Sequence, residues 1–270
     1  DRITSFFVQE LKLGSYLARM MPIVIAFLIY FGSNNKAYIF LSVILIILVD
    51  ILIFISMERS AFFLTMLSII FILIFTKKYK LIRFLCFVVS VLIIITLTVK
   101  DEALKNRMLL HPIQALTETV QKKYVLTAVH DSLYKTSLKM FDQNKIFGVG
   151  PKMYRKQCRN EKYTVNLSSC NSHPHNTYIQ MLAETGLVGF GFFIFFVFTF
   201  FYKTIIHFKN LITKRDHLSD FTICIMGSIF INIWPIIPTG NFFNNWMSIV
   251  YYLPLGFYFS SLCQTKKNSN

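Results

Sequence analysis

AYIFLSVILIILVDILIFISM, residues 37–57, carries a single charged side chain, Asp50, in twenty-one positions. A helix of that length rises about 30 Å, the thickness of a bilayer's hydrocarbon core. Its apolar residues run all round the helix instead of along one stripe, as they do where the neighbours are lipid. Working outward, the same pattern recurs at 13–31, 60–76, 81–99, 177–202, 221–237 and 245–262, so seven membrane helices are expected. So many such runs exclude a signal peptide as their explanation. The whole chain of 270 residues is 54% hydrophobic and only 15% charged, against about 25% charged in soluble domains. The expected fold is therefore an all-α, polytopic membrane bundle. Helices one to four fill 1–99, a large helical loop 100–176, helices five to seven 177–262 and a tail 263–270.

Short-loop Lys and Arg residues set the orientation. Lys36, the group Lys77, Lys78, Lys80 and Arg83, the loop with Lys203, Lys209, Lys214 and Arg215, and the tail with Lys266 and Lys267 all fall on one side of an up-and-down threading. That side is read as cytoplasmic, which puts 100–176 on the outer face. The long segment holds 13 Lys and Arg and 6 acidic residues, net +7, and long outer loops escape the charge rule. An outward-facing cationic surface suits an anionic lipid head group, pyrophosphate or acidic glycan. The total charge of +15 is divided between two sides of a membrane, which argues against nucleic acid. An amphiphilic stretch beginning at Asp1 leads into the first helix from outside, so the chain is expected to be the carboxy-terminal part of a longer one.

Of five cysteines, Cys158 and Cys170 share the outer loop, where an oxidising compartment could join them in a disulfide. No cysteine or histidine spacing matches a metal site, and neither metal nor cofactor is expected. Thr117 to Phe141 carries apolar residues at helical spacing, among them Val120, Tyr124, Leu126, Val129, Leu133 and Leu138, and reads as one or two amphipathic helices. NKIFGVGPKMY, 144–154, reads as a Gly and Pro turn. Arg155, Lys156, Arg159 and Lys162 form a basic face, with phosphate or glycan contact as the functional alternative.

NSHPHNTYIQMLAETGLVGFG, 171–191, concentrates the chemistry. Pro174 keeps His173 extended, and Thr177 with Gln180 reads as a capping box that starts the next helix. His175, Asn176 and Thr177 then stand at a helix amino terminus, where free N–H groups and the helix dipole suit a phosphate and a neutral imidazole can accept a proton. Gly186, Gly189 and Gly191 are read as close-packing positions. Glu184 and Asp50 are charges within helices, expected to face the bundle interior or a watery path. Arg19 and Arg59, at the outer level, offer planar forks for phosphate oxygens; snorkelling to the interface is the other reading, and Glu58 is available to pair with Arg59.

The run from His175 to Gly189, HN, nine residues, G, two residues, G, resembles the signature of the O-antigen ligase and polymerase superfamily. FDQNKIFGVGPKMYR, ELKLGSYLARMMP and MERSAFF resemble that family as well. The resemblance implies an inverting, metal-independent glycosyltransferase that takes a glycan from undecaprenyl pyrophosphate at the periplasmic face. His175 would match the family histidine, as base for the acceptor hydroxyl or as partner of the pyrophosphate. Arg59 and Arg19 would match arginines that stabilise the leaving group. Arg155, Asp50 and Glu184 join Asn176 and Thr177 as substrate-binding candidates. The acceptor would be lipid A–core for a ligase, the favoured reading because the signature is complete, or a further repeat unit for a polymerase. A transporter or flippase, with Asp50 and Glu184 lining its path, is the reading from a different class.

Overall fold

Asn35 starts the helix quoted above: its side-chain oxygen accepts from the Ala37 and Tyr38 backbone N–H groups at 2.9 and 3.2 Å, satisfying donors that the first turn leaves without partners. The computed structural model describes residues 12–32, 35–122, 127–215 and 218–268. The expectations attached to 1–11, Tyr124 and Leu126 fall outside them. Every regular element among the described residues is helical: α1 (Leu13–Gly32), α2 (Lys36–Ile55), α3 (Arg59–Phe75), α4 (Lys80–Lys100), α5 (Glu102–Lys105), α6 (His111–Lys122), α7 (Ala128–Gln143), α8 (Tyr154–Gln157), α9 (Thr177–Ile212), α10 (Asp220–Asn232) and α11 (Asn245–Asn268). A π-turn, Asn106–Leu110, joins α5 to α6.

By length and composition α1, α2, α4 and α9 are apolar enough to cross a membrane, while Arg59–Phe75, Asp220–Asn232 and Met247–Cys263 are shorter apolar helices. Leu41, Leu45 and Leu48 on α2, Leu85 and Leu92 on α4, and Phe192, Phe195 and Phe198 on α9 are all exposed, as suits helices whose outer faces meet lipid. The expected sixth helix is shorter than its apolar run. It stops at Asn232, where Pro235 follows and restricts the backbone before it.

The chain divides into two compact units. The first comprises 1–111, 206–232 and 250–270. In it α1 packs against α2, α3 and α10 around Met21, Ile25, Ile46, Ile72, Cys86 and Cys224. Two carboxylates tie its ends. Glu58, in the α2–α3 turn, accepts from the Gly14 and Ser15 N–H groups at 2.7 and 2.9 Å and so caps α1. Asp220 does the same for the Lys77 and Lys78 N–H groups at 2.8 and 2.6 Å.

Between those ends, Arg83 donates to both oxygens of Asp50 at 2.7 and 3.1 Å, with Ser90 donating at 3.4 Å. The pair is buried, at 4% and 3% exposure. Arg83, grouped in the sequence with Lys77, Lys78 and Lys80, is buried and pairs with Asp50, which thus faces the interior of the unit. Removing one member of a buried pair strands the other charge. We expect Asp50→Ala to cost about 3–5 kcal/mol, read as a lower melting temperature in detergent, and Asp50→Leu with Arg83→Met to recover most of it. An unchanged midpoint for Asp50→Ala would contradict this account.

The second unit comprises 112–205 and 233–249. Its core gathers Leu133, Tyr134 and Met140 from α7, Tyr154 from α8, Tyr163 and Ala183. Tyr154 is fully buried, its hydroxyl donates to the Ser169 carbonyl at 2.7 Å, and burial pushes the phenol far above its ordinary pKa.

A break in α9 organises this unit. At Gly186 the backbone leaves helical geometry with φ 63° and ψ −163°, a region only glycine enters readily. The expected helix at 177–202 is therefore two pieces. The break frees two carbonyls and two N–H groups, and the 144–150 turn pairs with all four. Val149 and Gly150 donate to the Ala183 and Glu184 carbonyls at 3.0 and 2.9 Å, and Leu187 and Val188 donate to the Lys145 and Ile146 carbonyls at 2.8 and 3.2 Å. Gly186 thus gives a backbone-to-backbone clasp, while Gly191 has nothing within 4 Å of the position its Cβ would take and plays no packing part.

Candidate active site

Asn176, not Thr177, caps α9: its side-chain oxygen accepts from the Ile179 N–H at 3.1 Å, and its amide donates to the Pro235 carbonyl at 2.7 Å. The expected capping box at Thr177 and Gln180 does not form, because both side chains are otherwise engaged. The Thr177 hydroxyl pairs with that of Thr239 at 3.0 Å. Gln180, fully buried, donates to Glu184 at 2.9 Å and Asn241 at 2.8 Å and accepts from the Phe242 N–H at 3.0 Å. Glu184 also accepts from the Tyr154 N–H at 2.8 Å, which holds α8 against α9. Asn176, Thr177 and Glu184, expected to bind substrate, are each buried and hydrogen-bonded to neighbouring segments of this unit. The segment 233–242 that fastens to them, with Pro235, Pro238 and Gly240, was missed as a contributor.

The cap and its fasteners hold the segment 171–175 out from α9. His173 is buried, its Nε2–H donating to the Thr239 carbonyl at 2.9 Å while Nδ1 accepts from Ser172 at 2.8 Å. Both ring nitrogens are used, so this is a structural histidine. His175 is half-exposed, has φ 59°, and gives its carbonyl to the Thr239 N–H at 2.8 Å. Its ring lies 4.1 Å from that of His173 and 5.9 Å from that of His130 on α7, centroid to centroid.

Burial lowers the His175 pKa below the ordinary histidine value, opposed by the Thr239 backbone. His130 is lowered too, by burial first and then by His175. Both rings are therefore neutral at pH 7. His130 was not read as a candidate, since nothing in its local sequence ties α7 to a residue 45 positions on. The Tyr134 hydroxyl, buried one turn along from His130, lies beside the Asn176 side chain.

Beside this group a cleft of about 590 Å³ is lined by Arg155, Lys156, Arg159, Asn171, Ser172 and the Cys158–Cys170 pair. Those cysteines are joined as a disulfide, their Cα atoms 5.1 Å apart. The basic residues are exposed, and Asn171 reaches from the cleft to the His175 ring, its Nδ2 lying 3.0 Å from Nε2. Arg155 thus faces a shared cleft with two more cations, where an anionic group would be attracted.

The two arginines of the first unit differ from each other. Arg59 is exposed, and Glu58, its expected partner, has both oxygens committed to α1. Arg19 is 2% exposed, so it does not snorkel. It donates to the Ser15 carbonyl and hydroxyl, and its Nε has no hydrogen-bond partner. Among the described residues no group of three or more His, Cys, Asp or Glu could hold a metal ion.

A family model described as O-antigen ligase matches residues 43–194, more than half of the chain. The match runs from within α2 to within α9 and takes in the cleft, His175 and the Gly186 break. No curated protein and no solved structure matches.

Proposed function

Because the chain belongs to the O-antigen ligase family, we propose that it transfers a glycan from undecaprenyl pyrophosphate to an acceptor hydroxyl, with His175 as general base, at the periplasmic face of a bacterial inner membrane. The family makes it a membrane protein of the O-antigen ligase and polymerase type, whose members are glycosyltransferase-like enzymes. The observation that carries the proposal is the state of His175: of the two histidines at the start of α9 it alone is partly open, and burial keeps it neutral. A neutral ring accepts a proton; a cationic one would hold phosphate.

In the proposed reaction the acceptor oxygen attacks the anomeric carbon from the face opposite the leaving group and inverts it. The bond from that carbon to the pyrophosphate oxygen breaks, its electron pair leaves on the pyrophosphate, and the acceptor proton passes to His175. Charge that develops on phosphate oxygens is stabilised by fixed cations. Arg59, exposed and not held by Glu58, is assigned that role; Arg19, closed from solvent, is not. Arg155 is assigned to the substrate on the strength of the basic cleft it lines.

We assign the ligase reaction, with lipid A–core as acceptor, on the complete His175–Gly189 signature. The test is deletion of the gene in its host, complementation with wild type, Arg59→Ala or Arg59→Lys, and gel separation of extracted glycolipids. Core without polymer, with long chains left on the carrier lipid, is expected for the deletion and for Arg59→Ala, with partial return for Arg59→Lys. Core bearing one repeat unit would mean a polymerase, and unchanged glycolipids would overturn the assignment.

A further inference from the structure

Asn171 is exposed and belongs to no helix, yet its amide is fixed at both ends. Its Oδ1 accepts from the Ser172 N–H at 2.7 Å. That bond settles which way the amide points, because the reverse orientation would set an NH₂ group against an N–H. Nδ2 is left facing His175 Nε2 at 3.0 Å. An amide NH₂ only donates, so the Nε2 it meets carries a lone pair, and the proton of the neutral ring sits on Nδ1.

We propose that Asn171 is a positioning residue that holds His175 in its Nδ1–H tautomer and keeps the Nε2 lone pair directed at the basic cleft, as a stand-in for the acceptor hydroxyl. The inference rests on the reading of His175 as base and adds the group that prepares it. Asn171 lines the cleft, so a hydroxyl that enters there meets Nε2 by displacing an amide donor with its own O–H. One hydrogen bond to the same lone pair replaces another, and the ring need not turn. The disulfide ends at Cys170, the preceding residue, and limits how far Asn171 can drift from the ring.

The groups facing His175 otherwise come from each neighbouring element: His130 from α7, His173 from its own segment and the Thr239 backbone from the 233–242 segment. Arg155, Lys156 and Arg159 line the cleft beyond Asn171. Burial disfavours a charge on the His175 ring, and the Asn171 donor, which needs the Nε2 lone pair, acts in the same direction. An aspartate at 171 reverses that contribution. It keeps the acceptor for the Ser172 N–H while turning a carboxylate to Nε2, which favours the protonated ring by about one pH unit or more.

The experiment uses the full chain in nanodiscs with ¹⁵N-labelled histidine, the His175 signals identified by their loss in His175→Gln. The ring is titrated in wild type, Asn171→Ala and Asn171→Asp, and glycan transfer is followed against pH in membrane vesicles of the complemented deletion strain, which hold the native donor and acceptor lipids. The expected result is an Nδ1–H tautomer in wild type, a mixed tautomer in Asn171→Ala, and in Asn171→Asp a raised ring pKa with the acid limb of activity moved up equally. A ring that keeps its tautomer and titration in both variants overturns the inference. A ring that shifts while the acid limb stays in place supports the contact and overturns the reading of His175 as base. A uniform loss of rate at every pH with an unmoved ring would mean a merely structural Asn171 and also overturns the inference.

Discussion

Replacing His175 with alanine is expected to lower glycan transfer by about 10²–10⁴-fold, the usual worth of a positioned general base, without lowering the amount of folded protein in the membrane. The ring is half-exposed and meets only the exposed Asn171 amide and the Thr239 backbone by hydrogen bonding, so less of the fold depends on it than on a buried ring. His173→Ala is the contrasting variant. Its ring is buried and joins Ser172 to Thr239, so its loss should lower the melting temperature and take activity down with the fold. In wild type the sign of the pH dependence follows from burial. The His175 pKa lies below the ordinary value, about 6.5 in model peptides. The base form then predominates at pH 7 and is lost as pH falls through that lowered value. Transfer should hold from pH 8 to 7 and fall in the acid range with a limb that His175→Ala abolishes. Rising activity on acidification would instead fit a cationic His175 on phosphate.

The helices were legible because each is a local run of apolar residues, and lipid demands nothing more of them than length and composition. His175 stands out as a candidate for a different reason: its spacing from Gly186 and Gly189 is a pattern within one stretch. What escaped depends on pairing across the chain. Asp50 and Arg83 are 33 positions apart and were read at different depths; each alone looks like an exposed or functional charge, and only their meeting makes both internal. The α9 cap went to Asn176 instead of Thr177 because the 233–242 segment claims Thr177 and Gln180, a competition the short-range capping pattern does not contain. His130 is invisible for the same reason, since α7 meets His175 only in the folded unit. Exposure then sorts the candidates. Asn176, Thr177, Glu184, Asp50 and Arg19 are buried among their partners, whereas His175 is half-exposed and Arg59 and Arg155 are exposed.

Gly186→Ala is expected to be as damaging as loss of the histidine, through the fold. At φ 63° and ψ −163° an alanine pays about 1–3 kcal/mol in backbone strain alone. Its Cβ would also lie 2.4 Å from the Ile146 carbonyl oxygen and 2.6 Å from the Gly148 nitrogen. Backbone atoms held in a clasp cannot step aside as a flexible side chain can, so the 144–150 turn must lift away. Lifting it breaks the four backbone bonds to α9, each worth about 0.5–1.5 kcal/mol, and loosens Glu184 from the Tyr154 N–H. That places Arg155 and the cleft out of register with His175 even if the helices stay inserted. The expected readouts are a melting temperature in detergent lowered by many degrees and transfer near the background of the deletion strain. Gly191→Ala provides the control on the same helix. Nothing lies within 4 Å of its would-be Cβ, and a helical alanine gains about 0.5–1 kcal/mol over glycine, so its midpoint should stay level or rise. Equal behaviour of the two variants would mean that the break at Gly186 is not what holds the loop, because residue type changes identically and only the local backbone differs.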